Sequence, residues 1–153
     1  EVDPLGTAGS LGLLPKNITD MPIIMMNADL LTRLDLECLL NFHNNNNSAV
    51  TMCVREYDFQ VPYGVVSMKD HKVKSIEEKP IHKFFVNAGI YVFQPSLLES
   101  IDGISFLDMP NLIEQEVRKG TEVNIFPIHE YWLDIGQSEH FEQAKKDHNN
   151  GFI

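Results

Sequence analysis

The sequence predicts a mixed α/β fold, with a parallel part first and antiparallel strands after it. Three observations lead there. Between residues 22 and 55, short apolar runs alternate with an amphipathic stretch. Between 63 and 77, two apolar segments flank a polar turn. Proline and glycine also fall where helices begin and end, at Pro95, Pro110 and Gly120.

Taken in order, Asp3-Pro4-Leu5-Gly6-Thr7-Ala8-Gly9-Ser10 reads as a loop. Its small residues let a backbone approach a ligand closely; a frayed terminus is the plainer alternative. Residues 22–27 form a short apolar run, a strand buried on both faces as in a parallel sheet. Residues 35–43 place Leu36, Leu39, Leu40 and His43 on one helical face, with Asp35 as the cap. Asn44 to Asn47 stop that helix, and 48–55 is a second strand. This strand–helix–strand unit is expected to be a right-handed parallel crossover.

Antiparallel structure follows. Tyr63 to Met68 and Val73 to Glu77 are expected as a hairpin closed by Lys69-Asp70-His71-Lys72. Phe84 to Phe93 is a long, aromatic-rich strand, and Pro95 opens a short helix over 96–101. Asp108 and Pro110 start a helix over 111–119, with Glu114 and Glu116 early in it and Gly120 ending it. Residues 121–127 and 131–135 are further strands, and 138–148 a polar helix.

Bulk properties narrow the function. The 153 residues are the usual size of one domain, so 1–153 is read as a single unit. A hydrophobic content of 43% supports a packed core. The net charge of -10 argues against nucleic-acid binding, since phosphate neutralisation supplies most of that affinity. The longest apolar run, Ile23 to Met26, is far short of the roughly 20 residues a membrane span needs. Glu1-Val2-Asp3-Pro4 has no basic or apolar stretch, so no signal peptide is expected. Cys38 and Cys53 read as buried thiols of a reducing cytosol.

Several groups have chemical potential. Asp29 stands just past a strand end, the edge of an α/β sheet where ligands bind. It is either a Mg²⁺ ligand or a cap for the next turn. Asp134, between bulky apolar neighbours, needs a partner: a metal, a helix N-terminus or an arginine. Lys79 sits in Glu77-Glu78-Lys79-Pro80, where Pro80 is expected to hold it extended at a strand end. Its ammonium there suits a phosphate; a solvated charge run is the alternative. Asn87-Ala88-Gly89 interrupts an apolar strand, marking a bulge or a close ligand, and the Asn87 amide suits a sugar hydroxyl. Tyr63-Gly64 reads similarly. The six histidines have no metal-ligand spacing, and there is no Walker-type phosphate loop.

The order of these segments is specific. Leu5-Gly6-Thr7-Ala8-Gly9, Met26-Asn27-Ala28-Asp29, Tyr63-Gly64-Val65-Val66, Glu78-Lys79-Pro80, Asn87-Ala88-Gly89-Ile90-Tyr91 and Tyr131-Trp132-Leu133-Asp134-Ile135-Gly136 occur in sequence. Together they resemble the sugar-1-phosphate nucleotidyltransferase family, nearest its mannose-1-phosphate guanylyltransferase-like branch. The resemblance implies a Rossmann-like mixed sheet with helices on both faces and a small antiparallel sheet. It implies transfer of a nucleotidyl group from an NTP, GTP favoured, to a sugar 1-phosphate; the cysteine reading puts this in the cytoplasm. It implies that Asp29 and Asp134 hold Mg²⁺ and act with Lys79, which binds the sugar phosphate. Gly6, Thr7 and Ala8 would line the base; Tyr63, Gly64, Glu78, Asn87 and Gly89 would form the sugar site. Ala28 departs from the family's usual Gly or Ser before the acid, and keeps the position small.

Family members also carry an N-terminal strand and a Gly-rich loop with a basic residue and a Pro-Lys-Pro stretch. Nothing here matches them; Lys16 follows Pro15 but lies after the base loop. The chain is therefore expected to lack that segment. It would then be inactive alone, and would associate with the segment or with a second copy. A non-catalytic piece that binds sugar phosphate weakly, or only packs against a partner, is the alternative. An unrelated interaction domain is a further one.

Overall fold

The structure, a computed structural model, describes residues 3–15, 21–136 and 138–151, so Lys16 lies outside the described residues. Its centre is a four-stranded sheet in the order β1 (Ile23–Met26), β6 (Ile81–Phe93), β3 (Val50–Gln60), β7 (Val123–Ile128). β6 is antiparallel to both β1 and β3, while β3 and β7 are parallel.

This arrangement corrects the reading of residues 22–27. β1 is an edge strand among the described elements, half-buried to exposed, and its partner is antiparallel. The crossover from β1 through α2 (Leu36–Asn45) to β3 does join strands of one direction, but β6 lies between them. An apolar strand such as Ala88 to Phe93 can be covered on both faces, so it takes the centre.

Strand period puts alternate β6 residues on opposite faces. Tyr91 and Phe93 join Val50 in one core with Ala8, Met109 and Leu112. Ile90 and Val92 join Cys53 in the other, with Leu34 and Leu39. The first face is covered by α1 (Gly6–Gly9) and α3 (Met109–Arg118), the second by α2, so helices flank both sides. His43 of α2 is fully buried at 0% exposure, between Thr51 Oγ1 at 2.9 Å and Gln94 Nε2 at 3.1 Å. Burial holds its imidazole below the usual histidine value.

Asp35 caps α2 as its sequence predicts, accepting from the Glu37 and Cys38 amides at 2.9 and 3.0 Å. Gly120, at φ +86°, ends α3. Pro95 opens a 3₁₀ turn over Pro95–Ser100. The 70–71 turn joins β4 (Gly64–Lys69) to β5 (Lys72–Glu78), with Asp70 and His71 at φ 48° and 62°. Two such residues form the turn that matches strand twist. Every residue of β4 and β5 is exposed.

Other expectations change. Residues 6–13 are helical, with α1 followed by a 3₁₀ turn over Ser10–Leu13, because the Ala8 and Gly9 amides reach Leu107 O at 2.8 and 2.9 Å. Glu116 lies late in α3, not early; it is buried and held by Lys119 and Thr121 at 2.6 and 2.9 Å. Cys53 is a buried free thiol that burial pushes up to about 12. Cys38 is free but exposed, off the buried stripe of Leu39 and His43. β2 (Leu30–Thr32), absent from the sequence reading, pairs antiparallel with β8 (Trp132–Asp134), and α4 (Ser138–Asn149) follows.

Candidate functional site

β2 and β8 build the carboxylate end of the site. Leu30 pairs with Asp134, and the Ile135 amide donates to Asp29 O at 2.9 Å. The two acids are thereby held beside each other although 105 positions separate them in sequence. A Cβ placed on Gly136 would lie 3.1 Å from an oxygen of each carboxylate, so one point in space is close to both. Gly136 also donates its amide to Asp134 Oδ1 at 2.9 Å. Asp29 is exposed and Asp134 half-buried. Two converging carboxylates fit Mg²⁺, a hard cation that takes one or two of them and fills its shell with water and phosphate oxygen. Among the described residues no group of three or more His, Cys, Asp or Glu gathers, so the donor set does not suit a zinc cage.

Asp29 also lines a cleft of about 510 Å³ with Thr7, Met25, Met26, Asn27 and Ala28. Of Gly6, Thr7 and Ala8, Thr7 lines the same cleft as this candidate metal ligand. Ala8 is fully buried, whereas Thr7 is exposed at the rim. The glycines serve packing as well: a Cβ on Gly6 would meet Leu107 O at 2.7 Å, and one on Gly9 would meet Ser105 O at 2.7 Å.

Asn87 and Gly89 adjoin this end. Gly89 stands at φ +69°, opposite the break in register between Met52 and Val54. The bulge its sequence suggests is present. A Cβ on Gly89 would lie 2.7 Å from Asn27 Nδ2, and the Asn27 backbone N–H donates to Gly89 O at 2.9 Å. Asn87 donates to the Tyr91 hydroxyl at 2.6 Å and accepts from the Gly89 amide at 3.0 Å. Its side chain is thus held, with capacity left for one further bond on each end.

Tyr63, Gly64, Glu78 and Lys79 form a second cluster at the open end of the hairpin. Gly64 pairs with Glu78, and the Lys79 amide donates to Tyr63 O at 3.3 Å. A Cβ on Gly64 would meet a Glu78 carboxylate oxygen at 2.9 Å. Lys79 is not extended, as the following proline suggested; its φ is 49°. The chain reverses there from β5 into β6, and the pre-proline restriction falls on the right-handed helical region, leaving this one open. The Lys79 ammonium makes no ion pair among the described residues. Among the described residues no hydrogen bond or ion pair joins this cluster to the two carboxylates; β6 leads from the one towards the other.

Sequence reasoning gave no site role to Asn27, Gly136 or Asp108. The first two lie inside motifs already singled out. Asp108 was read as a cap for its own helix, and its side chain makes no such bond.

The family model described as Nucleotidyl transferase matches residues 1–151. The chain is 36% identical over 150 residues to a probable mannose-1-phosphate guanylyltransferase 1 of Oryza sativa subsp. japonica, covering 90% of this chain and 40% of that protein. It is 34% identical over 151 residues to the mannose-1-phosphate guanylyltransferase catalytic subunit beta of Drosophila pseudoobscura pseudoobscura, covering 92% and 39%. Among solved structures, HddC from Yersinia pseudotuberculosis superposes with a TM-score of 0.67 at 26% identity, over 96% of this chain and 64% of that one. The chain thus spans about 40% of the length of the curated relatives it matches.

Proposed function

The chain belongs to the nucleotidyl transferase family, and from that premise we propose that the complete polypeptide transfers a nucleotidyl group from an NTP to a sugar 1-phosphate. GTP is the favoured donor and mannose 1-phosphate the first acceptor to test, after the names of the relatives. An NDP-sugar and pyrophosphate are the products. The observation that carries this reading is the convergence of Asp29 and Asp134 on one point beside Gly136, next to a cleft shared with Thr7.

The chemistry brings two anions together, so positioning and charge neutralisation dominate. Asp29 and Asp134 would hold Mg²⁺, which supplies positive charge at the α-phosphate when bound there. Thr7 lines the base, on a turn that Gly6 and the buried Ala8 hold against residues 105–108; Tyr63, Gly64, Glu78, Asn87 and Gly89 receive the sugar. Lys79 meets the sugar phosphate with its unpaired ammonium. That phosphate is already a nucleophile at neutral pH, so no side chain has to take a proton.

The free thiols support a reducing, cytoplasmic setting. No helix of the described residues is long and apolar enough to cross a membrane. The exposed apolar residues of the hairpin support association with a further segment or a second copy.

The test is pyrophosphate release from GTP and mannose 1-phosphate by the complete polypeptide. Asp134→Asn should lose about 10²–10³ in kcat, the usual cost of one well-placed transition-state group. An unchanged rate in that variant overturns the assignment.

A further inference from the structure

Asp108 occupies the position from which a side chain normally caps its own helix, here α3, yet it makes no such bond. Its Oδ1 instead accepts from the Thr7 amide at 3.1 Å and from the Thr7 hydroxyl at 3.3 Å. The Thr7 hydroxyl in turn accepts from the Met109 amide at 2.8 Å. The capping group of α3 therefore comes from a residue about a hundred positions away, and the acid is committed to holding that residue. Around this exchange the backbone is clamped: Leu107 donates to Leu5 O at 2.8 Å, and Leu107 O receives the Ala8 and Gly9 amides. Gly6 and Gly9 leave no room for a Cβ against residues 105 to 108.

Resting on the proposed nucleotidyl transfer, we infer that Asp108 is a positioning residue for the nucleotide, acting through Thr7. Its hydroxyl donates to Asp108 and accepts from Met109, which fixes the Thr7 side chain where it borders the cleft it shares with Asp29. Residues 105–109 are the backing that sets where the base-lining turn stands relative to the carboxylate. Asp108 touches neither substrate in this account. Because Thr7 also caps α3, loosening it can lower stability as well, so the melting temperature is read beside the kinetics to separate a positioning effect from a folding one.

The experiment measures pyrophosphate release by the complete polypeptide, varying GTP, ATP and UTP in turn and then mannose 1-phosphate. The proteins are the wild type, Asp108→Ala and Asp108→Asn. Asp108→Ala should raise the KM for GTP about tenfold, as expected for a lost hydrogen bond to a charged group. It should also narrow the kcat/KM ratio between GTP and the other nucleotides, and leave the KM for mannose 1-phosphate unchanged. Asp108→Asn keeps an accepting Oδ1 and should recover most of the loss. Equal rises in both KM values overturn the inference, as does a loss that follows melting temperature with the nucleotide ratio intact. If the wild type releases no pyrophosphate, the reading of function fails. Calorimetric titration with GTP then decides the positioning role separately: weaker binding by Asp108→Ala supports it, while equal binding or none overturns it.

Discussion

β3 and β6 run side by side for most of their length, but their two halves stand in different surroundings. On the inner half, Val50, Cys53, Val54 and the stretch from Ala88 to Phe93 are buried, with helices packed over both faces. On the outer half, Glu56 to Gln60 pair with Ile81 to Phe85 in unbroken register, and all of those residues are exposed. On β6 the change falls between Asn87 and Ala88, at the register break, and on β3 just past it, at Arg55. Tyr57, Phe59, Phe84 and Phe85 suit a strand as well as Val92 does, and each is at least half exposed. Residue preference thus builds both halves alike. A second layer is what makes one of them a core, and a two-stranded ribbon without one is marginal in water.

Substitution should expose this contrast most strongly at aromatic positions. Phe93→Ala should cost about 3–5 kcal/mol in denaturant unfolding, whereas Phe84→Ser should stay within about 0.5 kcal/mol. Equal losses at the two sites would mean that the outer half is covered in solution.

Glycines sharpen the comparison further. Gly89→Ala must place a Cβ against the Asn27 side chain from a backbone at φ +69°, and should cost about 1–3 kcal/mol. Gly64→Ala comes too close only to the end of the flexible Glu78 side chain, with Ile76 at ordinary contact distance, and should change stability by less than about 1 kcal/mol. Hydrogen exchange at Ala88 to Ile90, compared with Val65 to Ser67, gives the local readout.

Ionisable groups give the smallest effect. Burial lowers the His43 value in the folded state, so as pH falls the unfolded chain binds the proton first. Stability is then full above about 6.5 and declines below it, until folded His43 titrates as well. His43→Gln should flatten the dependence of the denaturation midpoint between pH 7.5 and 5.5. On the outer half, Glu56→Gln breaks the exposed 2.6 Å pair with Lys83 and should leave the midpoint where it was.

Local signals in the sequence located most elements of both halves. Asp35, Pro95 and Gly120 act within a few residues of themselves, and the 70–71 turn closes its own hairpin. What was not legible depends on distant partners. Leu30 to Thr32 is too short to declare itself and becomes a strand only against Trp132 to Asp134. Residues 6–9 look like a loop until Leu107 takes their amides. Asp108 looks like a cap until Thr7 replaces it. The residues alone gave Asp29 and Asp134 singly and the family resemblance paired them; that both stand beside Gly136 belongs to the paired strands. The Lys79 reading went astray for a local reason, since proline restricts its predecessor without choosing among the regions left open.

The β2–β8 pairing also bears on the order in which the molecule comes together. Hairpin β4–β5 closes over two residues, a microsecond event for a chain in water. Leu30 meets Asp134 only after a loop of about a hundred residues has been drawn shut, and that entropy must be met before the contact returns anything. The carboxylate pair is therefore expected to come together after the hairpin, once the two distant segments have met. A nascent chain could display its hairpin while Asp29 and Asp134 are still far apart.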